Sequence, residues 1–286
     1  MLIELVGKNR MSQNWRKLER SELSAPNGFL TNPTVLLFFS VIGLFYYSIY
    51  LFVTRDLSPV TVIIINSLCL YAIYTVTHEA IHDIAHKNKS INFALGFIGA
   101  AHEGITFPLL KLIHPQHHLY TNHPEKDPDY VIGKKPRWAL PLWILIRLTH
   151  DNWFMVKRKL WAGQGMLLAV HIFTVLLQLT VIAYSIKQDM FDDLLVVWII
   201  PLVIGGILVE FTVAWLVHFP HDSQNTFEHT RNYPGILWQF LTLNQNYHLV
   251  HHLWPKIPWF RYHKYIKTAQ IGRDEFMRSK NIQRGE

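Results

Sequence analysis

The most regular feature of this sequence is a series of long apolar runs separated by polar segments. A transmembrane helix needs about 20 predominantly apolar residues. Four runs meet that length, and they cover residues 34–53, 59–77, 166–184 and 194–217. A fifth run, residues 91–110, is broken by glycines and a proline and carries His102 and Glu103, so we predict a re-entrant or interfacial element there. The pattern predicts an all-α, integral-membrane bundle of about four transmembrane helices, with residues 1–286 forming one domain.

The basic residues predict the orientation of this bundle. They gather before the first run, between the second and third, and after the fourth. Because basic loops are retained on the cytoplasmic side, we place these three segments there. Residues 1–30 contain no compact apolar core ahead of a cleavage site, so we expect a short cytoplasmic segment rather than a secretory signal. The prediction is a multi-pass protein, in the inner or plasma membrane if it is bacterial.

Composition supports the membrane assignment and directs attention to histidine. Half of the 286 residues are hydrophobic, only 16% are charged, and the formal net charge is +7. Basic loops at lipid headgroups account for that charge better than nucleic acid does, and we expect no nucleic-acid partner. A single cysteine excludes a disulfide framework, a cysteine-type zinc site and an iron–sulfur cluster within the chain. Imidazole without thiolate suits iron, copper or zinc, and there are 17 histidines.

Most of these histidines form four clusters on the predicted cytoplasmic side. The clusters consist of His78, His82 and His86; His114, His117 and His118; His218 and His221; and His248, His251 and His252. Residues three or four apart share one face of a helix, so the members of a cluster can point together. This number of imidazoles exceeds what a single ion coordinates, which predicts a histidine-rich cytoplasmic cap that holds two metals.

Polar residues beside the clusters are candidates for supporting the ligands. A ligating imidazole usually donates its other N–H group to a carboxylate or carbonyl. The carboxylate candidates are Glu79, Asp83, Glu103, Asp127, Asp129, Glu210 and Asp222. Asn244 and Asn246 are candidates for holding a metal-bound water.

We expect ordinary packing roles for the histidines outside the clusters, which are His102, His150, His229 and His263. His171 lies within the third run and should face the bundle interior.

Two rival functions fit parts of the pattern. His78, Glu79 and His82 match the HExxH motif of zinc proteases, but that function leaves the later clusters unexplained. A membrane metal transporter would need polar groups in the middle of the membrane, where only His171 fits.

The spacing and flanking residues of the clusters resemble the membrane fatty-acid desaturase and hydroxylase superfamily. An HxxxH box follows the second run, and HxxHH boxes begin at His114 and His248. The flanking residues 122–129 and 245–259 are similar to cyanobacterial-type β-carotene hydroxylases. The resemblance covers roughly residues 70–265.

This resemblance implies two non-haem irons bound almost entirely by histidine. The implied ligands are His78, His82, His114, His117, His118, His248, His251 and His252. A further ligand is expected from His218 or His221, between which the sequence does not choose, and His86 is an additional candidate. The superfamily also implies O2 as co-substrate and a separate electron donor, such as a ferredoxin or a reductase.

The expected reaction is oxidation of a C–H bond in a lipid-like substrate, by hydroxylation or desaturation. Carotenoid ring hydroxylation is the leading expectation, and a fatty-acyl desaturase or hydroxylase is the alternative.

Overall fold

The computed structural model describes residues 22–133 and 135–284, and this part of the chain is built from helices and turns. The principal α-helices are α1 (Pro33–Val53), α2 (Pro59–Ile81), α3 (Lys89–His102), α4 (Phe107–Tyr120), α5 (Tyr130–Gly133), α6 (Trp143–Lys157), α7 (Gly165–Lys187), α8 (Phe191–Leu194), α9 (Ile200–Val209), α10 (Ile236–Leu241), α11 (His248–Leu253) and α12 (Ile266–Arg284). Short 3-10 turns cover Arg137–Leu142, Leu216–His218 and Trp259–Tyr265. Most of the predicted N-terminal cytoplasmic segment precedes residue 22 and lies outside the described residues.

Four helical stretches are long and apolar enough to cross a membrane, which confirms the predicted all-α membrane bundle. They are Pro33–Val53, Pro59–Ile81, Gly165–Lys187 and Phe191–His218. The second stretch continues four residues beyond the predicted end at residue 77. The apolar run ends there, but His78, Glu79, Ala80 and Ile81 are buried within the protein, so the helix does not need a lipid-compatible sequence at this point. That residues 1–286 form a single domain stays a prediction.

The first two spans begin at well-defined caps. Proline occupies the first helical position of both, where a missing N–H group costs nothing. Asn32 caps α1 by accepting a hydrogen bond from the Thr34 N–H, and Ser58 caps α2 by accepting one from the Thr61 N–H. These caps set where each helix enters the bundle.

The predicted re-entrant or interfacial region is a bent pair of helices. α3 and α4 meet at 98°, the geometry of a broken span or a re-entrant element. Gly104 lies between them with a φ of +67°, a conformation that favours glycine. Thr106 caps α4, and its hydroxyl lies 2.6 Å from Nδ1 of His171 on α7. His171 therefore faces the bundle interior and is bonded to this cap.

The last span is interrupted by two π-helical segments. They cover Leu195–Ile199 and Glu210–Trp215, on either side of α9. The side-chain amide of Asn66 on α2 donates to the carbonyl of Val197 in the first segment at 2.7 Å. The second segment leads directly into the 3-10 turn that ends at His218. π-Helical turns often accompany functional sites because they shift the register of the following residues.

Candidate metal centre

Five histidines converge at the end of α2 and form the first group. It consists of His78, His82, His114, His118 and His251, whose candidate ligand atoms all lie within 4.8 Å of one another. Nε2 of His114 lies 3.0 Å from Nε2 of His82 and 3.1 Å from Nε2 of His118. Adjacent ligands on one ion with metal–nitrogen bonds of about 2.1 Å would be about 3 Å apart. The donor set and its spacing thus fit a metal ion.

Four further histidines form the second group beside the first. They are His117, His218, His248 and His252, and their candidate ligand atoms also lie within 4.8 Å of one another. His252 and His248 face each other with their Nε2 atoms 3.2 Å apart. Neighbouring residues in the sequence serve different groups, since His117 and His118 share α4 and His251 and His252 share α11. The HxxHH spacing therefore supplies both groups from each of two helices.

Several histidines are oriented by hydrogen-bonding partners behind them. Nδ1 of His117 lies 2.9 Å from Asp127 Oδ1 and 3.4 Å from Asp129 Oδ2. Nδ1 of His251 is hydrogen-bonded to the hydroxyl of Tyr262 at 2.9 Å. A partner at Nδ1 leaves Nε2 as the atom directed at a metal, which is the usual arrangement around a ligating imidazole.

The environment of the three histidines on α11 favours neutral imidazole, the form that binds metal. Burial, followed by the neighbouring rings, holds the pKa of His248, His251 and His252 well below the usual 6.5. In the described part of the chain, neither ring nitrogen of His78 or of His218 has a hydrogen-bond partner, although all four atoms are buried. Buried polar atoms without partners are costly. A metal ion at each group would satisfy one nitrogen of His78 and one of His218, so the residues present fit a two-metal centre.

Some of the predicted site residues lie apart from both groups. Nδ1 of His86 accepts a hydrogen bond from the backbone N–H of Asn88, and its ring packs 5.5 Å from that of Phe29. His221 follows the end of the last span, and its ring lies against Gly133. Asp83 is 59% exposed and forms a 2.6 Å ion pair with Lys111.

Glu79 and Asn244 are buried next to histidine-bearing helices. Glu79 Oε1 accepts a hydrogen bond from the backbone N–H of Trp259 at 3.1 Å. This contact ties α2 to the segment after α11 and differs from the general-base role of a zinc protease. Asn244 precedes α11, and its Oδ1 is buried without a hydrogen-bond partner in the described residues.

Three residues near the groups were not selected by the sequence pattern. Tyr262 carries no local signal, because only the fold brings it to His251. His229, for which we expect an ordinary packing role, is buried with its ring 5.1 Å from that of His252. Arg147 lies on α6 and binds Asp129 at 2.8 Å, the same carboxylate that faces His117.

A cavity of about 110 Å³ opens beside the first group. His114 and Tyr74 line it, and the Tyr74 ring stacks 5.6 Å from that of His78. Leu70 of α2, Leu110 of α4 and Leu202 of α9 form part of its apolar wall. An apolar substrate entering from between the spans could therefore reach the histidines.

Comparison with known proteins agrees with this architecture. The sequence profile of the fatty acid desaturase family matches residues 57–269, a stretch that contains both histidine groups. The dihydrorhizobitoxine desaturase of Bradyrhizobium elkanii is 26% identical over 240 residues, which cover 73% of this chain and 66% of that protein. The chain thus spans just under two thirds of that desaturase. A beta-carotene ketolase of Paracoccus sp. (strain PC1) is 25% identical over 203 residues, covering 69% of this chain and 74% of the ketolase.

Proposed function

The chain belongs to the fatty acid desaturase family, and from this premise we propose that it is a membrane oxidoreductase. It uses O2 and two non-haem irons to oxidise a C–H bond of a lipid-like substrate. The observation that carries this proposal is the convergence of nine buried or half-buried imidazoles beside a cavity with an apolar wall. The nine comprise five histidines in the first group and four in the second, so the HExxH motif is only part of a larger ligand set.

In this proposal each group holds one iron. The first is bound by His78, His82, His114, His118 and His251, and the second by His117, His218, His248 and His252. His218 is the ligand at the end of the last span, while His86 and His221 support the surrounding packing. Bound iron supplies the redox chemistry with O2 that ordinary side chains lack.

The other residues position the ligands and the substrate. Asp127 holds Nδ1 of His117, and Tyr262 holds Nδ1 of His251, so that both rings keep a single orientation. Tyr74 braces His78 by stacking while it lines the cavity. The buried side chains of Leu109 and Ile113 on α4 keep water from the region between the spans and the histidines.

Two versions of the reaction have support. The similarity to a beta-carotene ketolase favours a carotenoid substrate, and the resemblance of the sequence around the histidine boxes to carotenoid hydroxylases favours hydroxylation of its ring. The family and the similarity to a desaturase favour desaturation or hydroxylation of an acyl-type chain. In both versions the carbon attacked is set by where the cavity holds the substrate relative to the two groups.

The proposed active site faces the cytoplasm and receives electrons from a separate protein. Lys111 and Lys256 lie beside the first histidine group, where Lys111 binds Asp83 and Lys256 binds the carbonyl of His82. Two lysines beside one aspartate leave a net positive charge near the histidines, which suits an acidic donor, such as a ferredoxin or the domain of a reductase.

Iron analysis of matched histidine variants tests the proposal. Protein purified in detergent from iron-replete cells should contain about two irons per chain, as the two imidazole-rich groups require. His218→Ala should lose about one iron and the oxidised lipid product, because a four-histidine group would be left with three ligands. His221→Ala should keep both irons. Stoichiometric zinc in place of iron, or equal iron contents in the two variants, would contradict the proposed ligand set.

A further inference from the structure

The cavity beside the first group has a strongly charged end. Arg147 of α6 is 13% exposed and contacts three carboxylates. Its Nη1 lies 2.8 Å from Asp129 Oδ1 and 3.2 Å from Asp151 Oδ1. Its Nε lies 3.3 Å from Glu210 Oε1. All four side chains line the cavity, so one guanidinium faces three carboxylates at this end.

Three carboxylate oxygens at this end have no hydrogen-bond partner among the described residues. Asp151 is 1% exposed, and this holds for both of its carboxylate oxygens, although Oδ1 lies 3.2 Å from Arg147 Nη1. Glu210 is 15% exposed, and the same holds for its Oε2. Glu103 adds a further carboxylate to the cavity wall, where its Oε1 already accepts a hydrogen bond from the Thr77 hydroxyl at 2.7 Å. Unpaired buried acceptors cost free energy unless a donor is supplied.

Tyr74 also lines the cavity, but in the described residues neither its hydroxyl nor any other side chain there donates a hydrogen bond to these oxygens. Leu70, Leu202 and Val209 come from the two spans that flank it, and Leu148 lies one residue after Arg147. The cavity therefore combines an apolar wall with an acceptor-rich end. A substrate that is apolar throughout would leave these acceptors unpaired, and one with a carboxylate or phosphate end would place like charges together.

We propose that this cavity binds a substrate with a hydrogen-bond-donating end, a hydroxyl or an ammonium group, held by Asp151 and Glu210. The proposal rests on the proposed function, because it takes the cavity beside the histidines as the substrate site. An ammonium group also offsets the excess of carboxylates over Arg147, whereas a hydroxyl supplies a donor alone. For a carotenoid substrate, the proposal selects a ring that already carries a hydroxyl group.

Short amphiphiles of equal chain length test this selectivity. Hexan-1-ol, hexylammonium and hexanoate can be titrated calorimetrically into detergent-purified protein at neutral pH, with the detergent alone as the blank. Hexanol or hexylammonium should bind at least about tenfold more tightly than hexanoate, because the carboxylate meets like charge. The order of the two donors shows whether the substrate carries an ammonium or a hydroxyl. Hexanoate binding as tightly as both donors would overturn the proposal.

Variants connect the binding to the named carboxylates. Asp151→Asn and Glu210→Gln keep the shape of each side chain, and each should weaken binding of the preferred donor by about tenfold. Asp192→Asn alters an exposed carboxylate at the start of the last span and should bind that donor like the unaltered protein. Unchanged affinity in both cavity variants, with the fold verified by circular dichroism, would contradict the proposal that Asp151 and Glu210 bind the donor group.

The two proposals can fail separately. The titrations need no iron, while the proposed function is judged by the iron content of the same preparations. Donor-selective binding by protein that takes up no iron would support the cavity assignment and overturn the proposed oxidoreductase function. Two irons per chain without donor selectivity would support the proposed function and overturn the cavity assignment.

Discussion

Asp127 contacts the second histidine group from outside and is itself held in place. Its Oδ1 lies 2.9 Å from Nδ1 of His117, and its Oδ2 accepts a hydrogen bond from the backbone N–H of Asn122 at 2.7 Å. The backbone N–H of Asp129 donates to Oδ1 as well. A carboxylate held by two backbone N–H groups can determine both the tautomer and the ring orientation of the histidine that it contacts.

We expect Asp127→Asn to weaken metal binding selectively at the second group. Loss of a partner behind a ligating histidine costs about 10–100-fold in metal affinity. After dialysis against a chelator, elemental analysis should therefore find about one iron per chain in the variant, where the unaltered protein keeps about two. Asp83→Asn is the matched control, since Asp83 is exposed and pairs with Lys111. Full retention of iron by the Asp127 variant would show that His117 does not depend on this contact.

The members of the two histidine groups were only partly predictable from the sequence. Helical spacing brings together His114, His117 and His118, because a residue's face follows from its position along a helix. The same rule could not separate His218 from His221, since the helix ends between them and the following residues take an irregular path. The sequence could not predict the role of Tyr262, because its contact with His251 depends on how the segment after α11 folds back.

At the scale of elements, the apolar runs predicted the membrane-spanning helices, whereas nothing in the sequence predicted the π-helical interruptions of the last span. Each predicted span corresponds to a helical stretch, because run length alone decides whether a helix can cross a membrane. The π-helical segment Leu195–Ile199 carries no such signal. Its carbonyl at Val197 is bound by Asn66, so its geometry depends on a neighbouring helix.

Close packing between the second and last spans depends on Gly205. A Cβ atom at Gly205 would lie 2.9 Å from the backbone oxygen of Ser67 and 3.1 Å from Cβ of Leu70. Small residues at such crossings allow membrane helices to approach closely. The contact is also close to the cavity, because Leu70 and Gly206 both line it.

Gly205→Ala should destabilise the bundle, because the two spans must move apart to admit a methyl group. Overpacking of this kind costs about 1–3 kcal/mol, which would appear as a lower thermal unfolding midpoint in detergent. Gly43→Ala provides the control within another span, since nothing lies within 4 Å of the added carbon. Similar midpoints for the two variants would mean that close contact at Gly205 contributes little to stability.

At the scale of the whole molecule, the histidine groups lie at one end of the spans. The second span begins at Pro59 and carries His78 near its end, and the last begins at Phe191 and ends at His218. The connections before these two spans, residues 54–58 and 188–190, must therefore lie at the opposite end. α4 and α11 add the remaining histidines of the two groups from segments far apart in sequence, so the candidate centre also links distant parts of the chain.

Single cysteines at the two ends can establish the orientation of the protein in its membrane. The excess of basic residues beside the histidine end predicts that this end is cytoplasmic. Asp56→Cys and Gln188→Cys should then react with a membrane-impermeant maleimide in intact cells. Lys264→Cys should react only in inverted vesicles, and the native Cys69 is buried and provides a low background. Rapid labelling of the Lys264 variant in intact cells would place the histidines outside, where a cytoplasmic electron donor could not reach them.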